Sequence, residues 1–399
     1  MARSRRLVKK QRVEPDLFGT IPLPVAELGA KERLACLRLI RSENIGPATF
    51  RTLINLCGGA DAALAALPEI ARRGGRRRPF RICTIAKAED ELAAASAIGS
   101  SPLFTIEPGY PKVLATVDNP PPLIYAKGNT SVLNQPAIAI VGSRNCSGAG
   151  AAFARQLASE LGNTRFVITS GLARGIDGAA HRSAMKTGTV AVLAGGLDII
   201  YPPEHTDLQH QIAETGCLVT ECPPGFKPRG KDFPRRNRII SGMSLGVVVI
   251  EAAKRSGSLT TARFAAEQGR DVFAVPGHPL DPRAAGTNAL LKSGAILATN
   301  SEDIITELAP QLTSDDRASL RAREEVNEYH APTYDDIDVG NPERELVAGL
   351  LTPTPISLNE ICRLTELHPK QVQAVILELT LAGRLEHHGQ NLISLGQFS

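Results

Sequence analysis

Seven short apolar runs recur along the middle of the chain: "AIAIVG" at 137–142, "FVITSG" at 166–171, "VAVLAGG" at 190–196, "CLVTE" at 217–221, "GVVVIEA" at 246–252, "DVFAVPG" at 271–277 and "AILAT" at 295–299. They do not alternate apolar with polar, so both faces of each strand are expected to be buried. Between most of them lie segments of helical length. Continuous Val/Ile-rich strands separated by helices predict a parallel sheet covered on both sides. The fold class is α/β, with a Rossmann-like, doubly wound, mostly parallel sheet over residues 101–308.

The flanks have a different texture. "KERLACLRLI" and "GPATFRTLINLCGG" carry apolar residues at helical spacing, so residues 30–100 are expected to form a helical module of the SAM or helix-hairpin-helix kind. "ENIGPATF" has the feel of a hairpin turn between two helices; a structural role and a phosphate contact both remain open there. "EPGYPKVLATVDNPPPLIYAKGN" predicts an irregular connector with one short strand at 123–127. Polar, proline-interrupted residues 309–341 predict a linker. Beyond them, "ERELVAGLL", "SLNEICRLT" and "HPKQVQAVILELTLAGRLEHHGQNLISL" predict three helices and a terminal hairpin, a winged-helix-like module over 342–399, with Ser357 and His368-Pro369 at helix starts.

Composition narrows the chemistry. A chain of 399 residues is long enough for two or three domains. Aromatics make up 4% and tryptophan is absent, so any base stacking rests on few rings and on arginine planes. The seven cysteines form no CxxC pair, which predicts a reduced, cytoplasmic protein with neither a disulfide framework nor a metal site; Cys217 and Cys222 are expected to pack. The start "MARSRRLVKKQR" is basic with no apolar stretch after it, so residues 1–29 predict a solvated tail, a nucleic-acid arm being the other reading. No apolar run is long enough to span a bilayer.

Ligands of open parallel sheets gather beyond the carboxyl ends of the strands. Those ends carry Gly142-Ser143-Arg144, then Gly171 to Arg174, Gly195-Gly196, Glu221, Ser256 with Ser258, Thr260 and Thr261, and Gly277-His278. Glycines that admit backbone amides, hydroxyl donors and helix starts behind them suit anions. Arg144 stands where a dinucleotide loop needs its second glycine, and Gly148 is followed by Ala149 where a Walker loop needs lysine. Both negatives argue against hydride transfer and triphosphate hydrolysis. "FKPRGKDFPRRNR" concentrates Lys227, Arg229, Lys231, Arg235, Arg236 and Arg238 around Phe233, a basic strip with a ring, suited to a single nucleic-acid strand. Asn237 and Arg238 could equally tie the loop to the sheet. Asp177 and His181, four apart, predict a helix-surface or capping pair. Glu221 and Glu251 end strands and could act as bases or accept hydrogen bonds from loops. Asp198 reads as a turn residue.

Six stretches in order, "IVGSRNCSGAG", "VITSGLARGIDGAAHRSAM", "AVLAGGLDIIYPPEH", "DFPRRNRIISGMS", "VVVIEAAKRSGSLTTARFAAEQ" and "RDVFAVPGHPLDPRAAGTNALLKSGA", resemble the DNA-processing protein A family, also called DprA or Smf. The resemblance implies a single-stranded-DNA-binding protein rather than an enzyme, one that protects incoming strands in natural transformation, helps load the RecA recombinase, and works as a homodimer without a cofactor. It implies phosphate contacts from Gly142, Ser143 and Arg144, a charged pocket with Lys231, Phe233 and Arg235, and a remaining edge at Gly171–Arg174 and 256–261. The dimer contact is expected near residues 288–308. Two rivals stand. A nucleotide hydrolase would want a PGGxGTxxE carboxylate that "SGSLTTARFA" lacks. A transcription factor would want a basic last helix, whereas "HPKQVQAVILELTLAG" carries little positive charge and better suits binding protein or positioning DNA.

Overall fold

The computed structural model describes residues 28–75, 78–321, 339–352, 355–388 and 392–395. The basic tail up to residue 27, Arg76 and Arg77 of the arginine-rich loop, and 322–338 of the expected linker lie outside the described residues.

In chain order the helices α1 (Ala30–Ile40), α2 (Pro47–Cys57), α3 (Ala60–Arg73) and α4 (Ile85–Ala97) come first. Then follow β1 (Ser101–Phe104), α5 (Lys112–Ala115), β2 (Leu123–Gly128), β3 (Ala137–Gly142), α6 (Gly148–Asn163), β4 (Val167–Ser170), α7 (Ile176–Ala184), β5 (Thr189–Val192), α8 (Thr206–Thr215), β6 (Cys217–Thr220), α9 (Asp232–Gly242), β7 (Gly246–Ile250), α10 (Gly257–Glu267), β8 (Asp271–Ala274), α11 (Ala285–Lys292), β9 (Ile296–Leu297) and α12 (Ser301–Arg321). The last module holds α13 (Asn341–Leu350), β10 (Ile356–Ser357), α14 (Leu358–Thr365), α15 (Pro369–Leu381), β11 (Leu385–His388) and β12 (Leu392–Leu395). Ser357 and His368 cap α14 and α15, and Pro369 opens α15.

The large sheet runs β1-β2-β6-β5-β4-β3-β7-β8-β9. From β6 to β9 every pairing is parallel; β2 joins β6, and β1 joins β2, antiparallel. Successive residues of β3 enter opposite cores. Ala137, Ala139 and Val141 meet Ile239, Ile240, Ala262 and Ala265 of α9 and α10. Ile138 and Ile140 meet Leu157, Leu161, Ala180 and Leu308 of α6, α7 and α12. This is why the strands read as unbroken apolar runs. The chain leaves β3 for one face and β7, its neighbour, for the other, so the strand order reverses between them. At that point the ends of β3 and β7 press together: a Cβ on Gly142 would lie 1.9 Å from the Ile250 carbonyl oxygen.

Two compact units share the chain. One holds the described residues up to 50 and from 80 to 321; the other holds 51–79 and the residues from 339 onward. The helical module expected over 30–100 is thus divided. In the first unit, Arg41 of α1 pairs with Glu91 of α4 at 2.7 Å, and Tyr125 of β2 donates to the same carboxylate at 2.5 Å. In the second unit, α3 packs against α15. The expected linker also begins later than residue 309. Helix α12 continues to Arg321 despite Pro310, with Ile304 and Leu308 buried under the sheet and Gln311 donating to Asp271 at 2.6 Å. Side-chain packing at its start, invisible to a polarity scan, carries the helix past the proline.

His181 and Asp177 form neither the surface pair nor the capping pair expected of them, because the sheet covers α7, both are buried, and each bonds to other residues. Thr189 Oγ1 donates to the Ile168 carbonyl, so the His181 Nδ1–H donates to Thr189 Oγ1 at 2.7 Å. Burial, then the positive charges of His205, Arg236 and Arg182, push the His181 pKa down to about 3. An imidazole neutral in the folded state and protonated in the unfolded one costs stability as pH falls. The contribution is whole above about pH 6.5 and is lost progressively toward pH 3, at up to about 1.4 kcal/mol per pH unit. In urea unfolding followed across pH 7 to 4, His181→Leu should flatten the acid loss by about one proton's worth of slope relative to the parent; an unchanged slope would assign the loss elsewhere.

Candidate nucleic-acid interface

The carboxyl ends of the parallel strands form one rim. Helix α9 supplies much of it, and the roll of this helix sorts the basic strip. Arg236 points inward and is buried. Its guanidinium donates to the Gly171 carbonyl at 2.6 Å and to the Val192 carbonyl, at the ends of β4 and β5. Burial lowers its pKa to about 10, with Asp177 opposing, so it stays charged at neutral pH. Asp177 accepts the N–H groups of Gly171 at 3.1 Å and Ala173 at 3.4 Å; burial pushes its carboxyl up against these donors and Arg236. Glu221, at the end of β6, takes both Arg238 and Arg235, the latter at 2.9 Å.

Phe233, half-buried on the first turn of α9, stands at the mouth of a cleft lined by Leu172, Ala194, Ile199, Tyr201 and Pro228, with Arg236 beneath. The Arg144 guanidinium carbon lies 5.5 Å from the Phe233 ring centroid, a cation–π distance. Tyr201 approaches the same ring at 5.2 Å, tilted by 50°. Arg144, Lys227, Lys231, Lys254 and Arg255 are exposed and make no ion pair among the described residues. Arg174, also exposed, lies 3.6 Å from Glu204.

Several residues expected to touch a ligand are committed to the protein instead. Arg236 is sealed against carbonyls, and Arg238 is held by Glu221. Gly171 is buried with its N–H given to Asp177 and its carbonyl to Arg236, so its amide is not open to a phosphate. Asn237 donates to the Gly257 carbonyl at 3.2 Å. Ser258 and Thr261 are buried, and Ser256 caps α10 while bonding to Ser258 Oγ at 2.7 Å. Ser143 Oγ accepts from the Asn145 amide at 3.2 Å, and Thr260 is half-buried. A linear basic string becomes a helix here, which turns consecutive arginines to different sides. Arg144, Arg174, Lys231, Phe233 and Arg235 remain at the surface of the rim. Tyr201, Lys254 and Arg255 join them unanticipated. The signal was an aromatic residue and two cations within the loops that follow β5 and β7 on the same edge.

The second cleft of the rim, lined by Gly150, Phe153, Pro276 and Asp281, contains Glu251. Glu251, at a left-handed φ of 51°, accepts the Ser147 amide N–H at 2.8 Å and the Ser147 hydroxyl. Its carboxylate therefore fills the N-terminus of α6 at the reversal of strand order, the place where a nucleotide phosphate binds in doubly wound folds. It accepts hydrogen bonds there. Asp198 likewise accepts, from the Gly225 amide at 2.9 Å. Among the described residues no cluster of three or more His, Cys, Asp or Glu is placed to hold a metal, and no single helix is long and apolar enough to cross a membrane.

Comparison with known proteins agrees with this architecture. The family model for DNA recombination-mediator protein A matches residues 102–309, that for the DprA-like N-terminal HHH domain matches 30–94, and that for the DprA winged helix domain matches 331–391. Protein Smf of Escherichia coli is 41% identical over 279 residues, covering 68% of this chain and 71% of its own. DNA processing protein DprA of Streptococcus pneumoniae is 41% identical over 244 residues, covering 60% and 86%. The X-ray structure of DNA processing protein A from the same organism covers 68% of this chain and 95% of its own, with 34% identity and a TM-score of 0.57. With its three modules matched in order and 41% identity to Protein Smf over 68% of its length, the chain belongs to the DNA recombination-mediator protein A (DprA/Smf) family.

Proposed function

We propose that this chain binds single-stranded DNA along the rim and, as a homodimer, helps a RecA-class recombinase assemble on it, without catalysing a reaction. The observation that carries the reading is the Arg144–Phe233–Tyr201 group amid unpaired cations. Two rings offer a stacking platform to a base that a duplex keeps inside its own stack, and the cations neutralise the backbone on either side. The names of the bacterial relatives, DNA processing proteins, support the same substrate. Filling of the nucleotide-phosphate position by Glu251 weighs against the hydrolase reading; incubation with nucleoside monophosphates should release no free base.

In oligonucleotide titrations, single strands should bind more tightly than duplex, with log K falling by about 0.7 per phosphate neutralised for each log unit of salt. Phe233→Ala should cost about 1–3 kcal/mol of single-strand affinity. Arg144→Ala should weaken binding alike for all base sequences and reduce the salt slope by about 0.7. Equal affinity for duplex, or a change of base preference with Arg144→Ala, would contradict the reading.

Arg236→Ala separates support from contact. It leaves Asp177 buried without its counter-charge, so it should destabilise by about 3–5 kcal/mol, seen in thermal or urea unfolding, whereas Arg144→Ala should unfold like the parent.

We place the dimer contact at the β9 edge, within residues 288–308, where Leu297 is 51% exposed. Leu297→Glu should convert dimer to monomer in light scattering with the fold intact; an unaltered mass would move the contact elsewhere.

A further inference from the structure

The second unit contains a helix-turn-helix. Helix α14 ends at Thr365, Glu366 turns the chain in the left-handed conformation at φ 56°, and His368 caps α15. Where this motif reads a duplex, the second helix lies in the major groove and presents a face free to meet it. Beyond its first turn, where His368 and Lys370 are exposed, helix α15 has no such free face. At 100° per residue, Val372, Val375 and Leu379 lie on one side and Ala374, Leu377 and Leu381 on the opposite side, and all six are buried. A helix apolar on both sides is a helix covered on both sides. Its own module covers it with α13, α14 and β11, and α3 packs on it from the N-terminal part of the chain.

The fit with α3 is a backbone fit. Helix α3 buries Ala63, Leu64, Leu67, Ile70 and Ala71, a stripe at helical spacing. At its C-cap, Gly74 meets α15 so closely that a Cβ there would lie 2.0 Å from the Glu378 carbonyl oxygen and 3.1 Å from the Ala382 Cβ. Glu378 is itself fixed, buried and paired with Arg344 of α13 at 2.8 Å, so α15 cannot easily give way. Charge argues in the same direction, since Lys370 is the sole cation within α15.

We propose that the body of this second helix, beyond its exposed first turn, is a protein-docking surface, occupied by α3 of the same chain. The C-terminal module then clasps the N-terminal segment instead of reading a duplex. The inference rests on packing in the second unit and is independent of what the rim binds.

Hydrogen exchange of the full-length protein, followed by mass spectrometry, tests it. Gly74→Val, which places a side chain against the α15 backbone, should speed exchange in α3 and α15 together by about tenfold or more and leave β3 and β7 unchanged. Gly349→Ala in α13, where a Cβ meets nothing within 4 Å, should leave both helices as in the parent. Should Gly74→Val fail to fold, Leu67→Ala on the same stripe gives the same readout. Faster exchange in α3 with α15 still protected, or no change in either, would overturn the clasp. A gain of duplex affinity in Gly74→Val would overturn the assignment of the surface as protein-binding.

Discussion

One buried cation holds the rim in register. Arg236 bonds the last carbonyls of β4 and β5, and Asp177 answers its charge from the start of α7. Burying a guanidinium here is offset by the two carbonyls that accept from its Nη1 and by the Asp177 charge, while its Nε stays buried without a hydrogen-bond partner among the described residues. Since Arg236 fixes the roll of α9, it also fixes where Phe233, one turn earlier, emerges. The ring at the mouth of the cleft and the cation beneath it are two outcomes of a single helix orientation.

From that orientation the division of labour among the arginines follows. Arg238 and Arg235 share Glu221, but Arg238 is largely covered while Arg235 stays 65% exposed. Arg144, from a different loop, arrives over the Phe233 ring. A cation from the β3 loop and rings from the segments after β5 and β6 therefore meet at one site, which a single loop could not arrange. The outer surface is charged and open, whereas the layer below is neutralised internally.

The sheet was legible because burial on both faces writes itself as uninterrupted Val and Ile, and β3, β7 and β8 could be placed from that texture alone. Caps at Ser357 and His368 were legible because short polar side chains at helix starts have a local cause. The basic strip was only half legible: its charge showed, but the period of α9, which sets Phe233 and Arg236 on the cleft side and Arg235 at the surface, depends on a helix that the string of charges concealed. Tyr201 was missed because its importance comes from a ring 32 positions later in the chain. The partnership of α3 with α15 is likewise a long-range fact, visible in sequence only as one helix too apolar to have a wet side.

Glu251 has a meaning beyond its hydrogen bonds. A carboxylate built into the chain and held by the Ser147 amide and hydroxyl at the start of α6 is a tethered resident against which any free anion must compete. The position where doubly wound folds anchor a phosphate is thus taken by the chain itself. In the proposed reading the groove beside it serves a polymer, which binds through many weak cationic contacts at once.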